Sequence, residues 1–140
     1  MNEHQQVRYA QILLRVTLGV MYLTHSVVLK GLIYGLPGTA QYFESIGLPG
    51  LLAYGVFAAE AIGGGALIAG IATRAVSLAL VPILAGALWA HAGNGWVFSN
   101  AGGGWEYPLF LILASLVLAV LPQRAAVYAA ADQPSAARAS

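Results

Sequence analysis

Four long apolar stretches dominate this 140-residue chain and restrict what it can fold into. A helix needs about 20 predominantly apolar residues to cross the roughly 30 Å hydrocarbon core of a bilayer. The stretches occupy residues 9–29, 51–72, 74–92 and 107–121, and the last, which is the shortest, ends at Pro122. Because helices satisfy their own backbone groups in lipid, the pattern predicts an all-α membrane protein with a four-transmembrane-helix bundle.

The composition agrees with a bilayer as the principal partner of the chain. Hydrophobic residues make up 59% of the sequence and charged residues only 8%, with a mean hydropathy of +0.76. Soluble domains carry roughly 25% charged residues, so this chain is too apolar to cover a water-facing surface. The net charge is +1 and the basic residues are scattered singly, which excludes a nucleic-acid interface. The absence of cysteine excludes disulfides and thiolate metal sites.

The distribution of basic residues predicts the orientation of the bundle. Loops 31–50 and 93–106 contain no Lys or Arg, and only Lys30 borders them. Since cytoplasmic loops are enriched in Lys and Arg, we expect a multi-pass inner (plasma) membrane protein of bacterial type with both termini cytoplasmic. We predict a transmembrane domain at 1–124 and a flexible cytoplasmic tail at 125–140. The arginines that flank the spans on the cytoplasmic side are Arg8, Arg74, Arg124 and Arg138.

The two exterior loops hold most of the polar and aromatic residues outside the spans. In the first loop, Thr39 is a candidate helix cap and Gly47 a candidate helix stop, which predicts a short interfacial helix on the membrane face. The second loop combines several glycines with Trp96 and Trp105. Two interpretations are open for it: an interfacial aromatic belt, or a binding loop whose glycines let the backbone approach a ligand.

Helical periodicity predicts which spans approach each other. Arg15, Tyr22 and Ser26 fall on one stripe of the first span by the three-or-four spacing. On the second span the same spacing places Glu60, Gly64 and Leu67 on one stripe, and three consecutive small residues occupy positions 63–65. Small residues let neighbouring helices approach closely, so we predict helix packing at Gly63, Gly64 and Gly65.

Glu60 is the residue that raises a functional question. It lies about 13 Å from the start of its span by the helical rise, where a charge costs about 2.5 to 3.5 kcal/mol. One interpretation is a structural ion pair with Arg15. The other is an outward-facing polar pocket, because side chains lean toward the N-terminus of their helix, so His25 and Glu60 lean toward each other. His91, Lys30 and Glu106 complete the predicted lining, although Lys30 is also a candidate to extend to the outer headgroups.

The two histidines and Glu60 do not form a recognisable metal motif. They come from three different spans and lack a local spacing such as H-x-x-x-H. We therefore predict no metal site, and the cofactor, if one is bound, is not identified by the sequence.

Four segments together resemble the DoxX family of small four-helix membrane proteins. They are residues 23–30 (LTHSVVLK), 37–49, 60–74 (beginning EAIGG) and 94–108, and the resemblance covers about residues 9–121. It implies the four-helix fold and a link to redox systems, since the family name is tied to subunits of thiosulfate oxidation through quinone. The fold itself does not determine the activity. The residues at motif positions are Arg15, His25, Lys30, Glu60, Arg74, Trp96, Asn100, Trp105 and Glu106.

Three functional hypotheses follow. The first is a quinone-linked membrane subunit in which Tyr22 or a tryptophan packs the quinone ring and Glu60 or His25 hydrogen-bonds its oxygens, with electrons supplied by a redox protein partner. The second is a non-catalytic assembly protein that docks a partner or a second copy of itself as a homo-oligomer. The third is a transporter, which four helices without an internal repeat disfavour. The candidate pocket residues are Glu60, His25, His91, Arg15, Tyr22, Lys30, Trp96, Trp105 and Glu106.

Overall fold

The computed structural model describes residues 1–122, which contain helices joined by turns and loops and no strand. The predicted tail at 125–140 lies outside the described residues. A π-helical segment at Thr24–Ile33 extends the first α-helix, and a 3-10 turn at Ala92–Asn94 extends the fourth. The five α-helices are α1 (Glu3–Leu23), α2 (Leu36–Ser45), α3 (Leu51–Ala69), α4 (Thr73–His91) and α5 (Glu106–Val120).

Three helices are long and apolar enough to cross a membrane. They are Glu3–Ile33 with 31 residues, Leu51–Ala69 with 19 and Thr73–Asn94 with 22. α5 is also apolar but has 15 residues, about 22 Å of helix by the usual rise. The all-α membrane bundle predicted from the sequence is therefore confirmed, while the fourth crossing stays a prediction.

The helices run so that the arginines and the loop tryptophans of the described residues collect at opposite ends of the bundle. We call the end that carries Arg8, Arg15 and Arg74 the arginine end, and the end that carries Trp96 and Trp105 the tryptophan end. α4 packs most extensively on α5, and α1 packs most extensively on α3. Their shared core is formed by Leu18, Tyr22, Leu67, Leu80, Leu84, Leu111 and Leu118.

Large apolar side chains cover the outside of the bundle as well as its core. Leu51, Ile62 and Val120 are among the most exposed, at 80%, 72% and 72%. Lipid tails are as apolar as these side chains, so a lipid environment removes the cost that water would impose on them. The exposed surface thus supports the membrane assignment independently of helix length.

The change from α to π geometry alters the backbone hydrogen bonds after Leu23. A π-helix bonds each N–H to the carbonyl five residues back, as Tyr34 does to Leu29 at 2.9 Å. Where the α pattern changes to the π pattern, a side chain supplies a further donor: the Ser26 hydroxyl donates to the Tyr22 carbonyl at 2.8 Å. Because π segments are rare and concentrate at functional sites, the residues of this segment are candidates for a functional role.

The short helix α2 is present in the first loop, but it begins earlier than the sequence suggested. Its N-cap is Gly35, with φ 71°, and Pro37 lies in its first turn. Thr39 is therefore inside the helix rather than at its cap, and its hydroxyl donates back to the Gly35 carbonyl at 2.9 Å. Proline is favoured in the first turn of a helix, which explains the earlier start. The predicted stop is confirmed, because α2 ends at Ser45 and Gly47 has φ 84°.

Glycines bring three helices into close contact. A Cβ on Gly64 would lie 2.8 Å from the Gly19 carbonyl oxygen, so α1 and α3 approach through their backbones. A Cβ on Gly63 would lie 2.9 Å from Leu80 of α4. Gly65 differs from its neighbours, since nothing lies within 4 Å of the corresponding position. The helical stripe places the first two glycines in the core and turns the third away from it.

Candidate functional site

Glu60 forms an ion pair with Lys30 inside the bundle. The Lys30 ammonium donates to Glu60 Oε2 at 2.5 Å. Glu60 is only 6% exposed, and the Lys30 side chain is 19% exposed. The pair links the π segment to α3 near the tryptophan end. It is the only ion pair within residues 1–122.

Side-chain direction explains why Lys30 reaches Glu60 instead of the headgroups. Side chains lean toward the N-terminus of their helix, so Lys30 leans into the bundle. Glu60 belongs to an antiparallel helix and leans toward the tryptophan end, where the two side chains meet. The expectation that Lys30 extends to the outer headgroups was therefore wrong. The same argument had been applied to His25, but the structure brings Lys30 to the carboxylate.

Arg15 does not pair with Glu60 and instead caps the last turn of α3. Its guanidinium donates to the carbonyls of Leu67 at 2.7 Å and Ile68 at 2.6 Å. The last carbonyls of a helix have no intrahelical donor, and a positive charge at this end also complements the helix dipole. Arg15 leans toward the arginine end, away from Glu60, as its position on α1 requires. Its role is to join α1 to α3.

A hydroxyl pair crosses the core beside the ion pair. The Tyr22 hydroxyl and Ser115 Oγ lie 3.3 Å apart, and both residues are buried. Tyr22 is also within electrostatic range of Glu60. Ser115 was missed by the sequence interpretation. Its signal was a lone polar residue in the apolar run of α5, one turn from the core residue Leu111.

His25 faces α5 and stacks on Tyr107. The two ring centroids are 5.7 Å apart with an interplanar angle of 25°. His25 Nδ1 is 2.9 Å from the Met21 carbonyl oxygen, which can only accept, so Nδ1 donates this hydrogen bond. The Tyr107 hydroxyl is buried and has no hydrogen-bond partner within residues 1–122. Such a group costs about 1 to 3 kcal/mol, and sequence reasoning did not single it out.

The loop between α4 and α5 is held in one shape by its own hydrogen bonds. Trp105 N–H donates to the Gly95 carbonyl and Glu106 N–H to the Trp96 carbonyl, each at 3.1 Å. The Trp96 and Trp105 rings meet edge to face, with centroids 4.4 Å apart. Gly104 is required at this crossing, because a Cβ there would overlap the Trp96 and Val97 carbonyls. The two predicted tryptophans are thus brought together on a preformed loop.

A cavity of about 400 Å³ opens beside this loop, and we call it the aromatic cavity. Glu106 lies in its wall with one carboxylate oxygen already accepting the Phe98 N–H at 2.8 Å. The cavity wall also includes the apolar outer side of α5, where Phe110 is 65% exposed. Ligand pockets in proteins commonly have volumes of about 300 to 1,000 Å³. The lining residues are Trp96, Phe98, Glu106, Tyr107, Leu109, Phe110 and Leu113.

The predicted pocket residues do not all meet in one place. Only Trp96 and Glu106 line the aromatic cavity, whereas Arg15 lines a second cavity of about 540 Å³ at the arginine end. His91 Nδ1 bonds the Ala87 carbonyl at 2.7 Å at the end of α4. The residues that line neither cavity are Glu60, Lys30, Tyr22, His25, His91 and Trp105. The part of the chain that the structure describes holds no group of three His, Cys, Asp or Glu side chains arranged to bind a metal.

Comparison with known proteins agrees with the fold and the segment pattern. The model of the DoxX family matches residues 10–93, from the first turns of α1 to the 3-10 turn after α4. A protein of Bacillus subtilis (strain 168) named "Putative oxidoreductase CatD" is 35% identical over 113 residues, which cover 81% of this chain and 79% of that protein. No solved structure matches the chain. On the family match and this relative together, the chain belongs to the DoxX family.

Proposed function

We propose that this protein is the quinone-binding membrane subunit of a redox system and that the quinone ring binds in the aromatic cavity. The observation that carries the proposal is an apolar, aromatic cavity that contains one carboxylate and extends along the exposed apolar side of α5. The name of the Bacillus relative supports a redox context, since it describes that protein as an oxidoreductase.

The walls of the cavity suit the two parts of an isoprenoid quinone. Trp96 and Phe98 lie where a planar ring can pack against them, and aromatic pairs of this kind contribute about 0.5 to 1.5 kcal/mol beyond area burial. Leu109, Phe110 and Leu113 continue the wall along α5 toward the membrane interior. An apolar tail would lie on this surface while remaining in contact with lipid. The ring would therefore enter from the bilayer rather than from water.

Glu106 is the group we expect to exchange a proton with the ring. One of its oxygens holds the loop through Phe98, which leaves the other oxygen for the ligand. Reduction of a quinone to a quinol takes two electrons, which a redox partner protein supplies, and two protons. One proton would pass from the Glu106 carboxyl to the nearer ring oxygen, and the second would reach the other oxygen from water at the tryptophan end. In the reverse direction the carboxylate accepts the proton of the quinol hydroxyl.

The Lys30–Glu60 pair has a supporting role in this proposal. It joins the π segment to α3, and His25 and Tyr107 then join that segment to the helix that forms the cavity wall. This chain of contacts positions the start of α5, where Glu106 lies. The earlier hypothesis placed the ring at Glu60, but a buried, paired carboxylate is less suited to direct contact with a ligand than Glu106.

The test is the quinone content of protein purified in native lipid particles. Phe98→Ala removes a ring from the wall, and we expect bound quinone to fall about two- to tenfold. Glu106→Gln keeps an oxygen that accepts the Phe98 N–H but removes the acid, so it should lower reduction of an added short-chain quinone by a supplied electron donor. Glu44→Gln is the matched control, because Glu44 is an exposed carboxylate on α2 outside the cavity. Quinone at the level of protein-free particles, or equal retention in Phe98→Ala, would refute the proposal.

The assembly hypothesis remains the second candidate and predicts a different result. Gly63 and Gly64 are already used for packing within the chain, so a second copy could not dock on them. The exposed residues of the second loop, such as Phe98 and Val97, would have to form the docking surface. In that case changes in the loop would release a co-purifying protein while the quinone content stays unchanged.

A further inference from the structure

The cavity at the arginine end is unrelated to the aromatic cavity and has a different chemistry. It has a volume of about 540 Å³ and lies between the first half of α1 and the start of α4. Arg8, Gln11 and Arg15 recur on α1 at the three-or-four spacing, so they face it from one side. Thr73 and Arg74 face it from the first turn of α4. None of the described residues that line it is Asp or Glu.

The start of α4 carries N–H donors that have no partner within residues 1–122. The N-cap residue is Ala72, with φ 43°, and no side chain caps the helix. The first N–H groups of a helix have no intrahelical carbonyl partner, so those of Thr73, Arg74 and Ala75 point out of the first turn. Together with the helix dipole they form the kind of site that binds anions.

Thr73 gives an independent indication that this site takes a ligand. The residue is only 7% exposed and lines the cavity. Its hydroxyl forms no hydrogen bond within residues 1–122 and is not among the atoms sealed from solvent, so it is available to donate to a ligand in the cavity. Ser77, one turn further along the same helix, shows the usual behaviour by donating to the Thr73 carbonyl at 2.8 Å.

The arginines divide into one that is fixed and two that are free to bind. Arg15 is committed to the Leu67 and Ile68 carbonyls and contributes only its charge. Arg8 and Arg74 form no ion pair or hydrogen bond within the described part of the chain. Guanidinium groups bind phosphate oxygens in a bidentate manner, and both residues line the cavity at exposed positions.

We propose that the arginine-end cavity binds a phosphate group, with Arg8 and Arg74 as its charge partners and Thr73 with the first N–H groups of α4 as its hydrogen-bond donors. A phosphate group at the end of a membrane bundle can belong to a lipid headgroup or to a soluble phosphate. The shared chemistry is a tetrahedral anion with several acceptor oxygens. The site is separate from the proposed quinone cavity, so either proposal can fail without the other.

The experiment measures binding of phosphate-bearing probes to the full chain in maltoside detergent. Native mass spectrometry compares phosphatidic acid with diacylglycerol of the same acyl chains, and calorimetry measures inorganic phosphate. Thr73→Val removes the hydroxyl at nearly constant shape, and Arg74→Gln removes one guanidinium. Because a hydrogen bond to a charged group contributes enough for a factor of ten or more, we expect each variant to weaken binding by about tenfold or more. Thr73→Ser keeps the hydroxyl and should stay within about threefold of the original affinity.

The outcomes separate the sources and test the site. Binding of phosphatidic acid alone identifies a lipid headgroup, binding of inorganic phosphate identifies a soluble source, and both support the proposal if Thr73→Val weakens them. Equal binding of phosphatidic acid and diacylglycerol together with no phosphate binding would overturn it. Binding that Thr73→Val and Arg74→Gln leave unchanged would also overturn it. Circular dichroism verifies helicity, and Arg8→Gln, at an exposed position, replaces any variant that loses it.

Discussion

Breaking the Lys30–Glu60 pair should cost far more than replacing it. Exposed ion pairs contribute about 0 to 1 kcal/mol, but here the Glu60 side chain is only 8% exposed and the Lys30 side chain, at 19%, is half-buried, so the carboxylate is the buried member of the pair. Removing one partner of a buried pair leaves an uncompensated charge and costs about 3 to 5 kcal/mol. We expect Lys30→Met to fall at the upper end of this range, because the Glu60 carboxylate is too deep to reach water. Glu60→Met should fall at the lower end, because Lys30 has a long stem that can extend outward.

The double variant Lys30→Met with Glu60→Met decides whether the charges act as a pair. Replacing both partners by apolar side chains of similar volume is often neutral, so the double variant should lie within about 1 kcal/mol of the original stability. The coupling free energy is then about 5 kcal/mol or more, which is above the roughly 0.5 to 3 kcal/mol usual for contacting residues.

The assay is reversible unfolding in mixed detergent and SDS micelles, followed by tryptophan fluorescence. Glu44→Met is the control, since Glu44 is an exposed carboxylate at the same end of the bundle and should change stability by less than about 0.5 kcal/mol. If the double variant loses as much as the two single variants together, the two groups are not coupled and the structural assignment of the pair is wrong.

Three further predictions concern packing and hydrogen bonding, each measured by the same unfolding assay. Gly64→Ala should lose about 1 to 3 kcal/mol because its methyl group would press on the backbone of α1, whereas Gly65→Ala should be neutral or slightly stabilising, and equal losses would contradict the packing. Arg15→Met should lose about 1.5 to 3 kcal/mol with the two bonds to α3, and a smaller loss than about 0.5 kcal/mol would show that the cap is not formed. Tyr107→Phe should be neutral or stabilising by up to about 1 kcal/mol because its hydroxyl is buried without a partner, so a clear destabilisation would reveal a hidden acceptor.

Periodicity predicted the buried stripe of α3 well. Glu60 and Gly64 were placed on one face with Leu67, and all three are buried. The spacing argument succeeds because the side-chain direction repeats every three to four residues in any α-helix. The same argument was incomplete for Gly65, because it does not say how wide the contact with the neighbouring helix is.

The partner of Glu60 could not be chosen from the sequence. Arg15, His25 and Lys30 were all within plausible depth, and the choice among them depends on how α1 is rotated against α3. The π segment changes that rotation from Thr24 onward, and no feature of its sequence predicts π geometry. The aromatic cavity was equally hidden, because it forms only where the second loop folds back on α5.

Local properties of the sequence determined the class of this protein. The apolar runs predict the helices, and the length of these runs indicates a bilayer. The positions of the arginines and tryptophans along the chain predict that they lie at opposite ends of the bundle. Tertiary structure decided which groups meet. Glu60 pairs with Lys30, Arg15 caps α3 and Tyr22 meets Ser115 because the rotation and register of neighbouring helices bring these atoms together. Helix formation depends on residues a few positions apart, whereas each of these contacts joins residues 30 or more positions apart. Such contacts are settled only when the whole bundle packs.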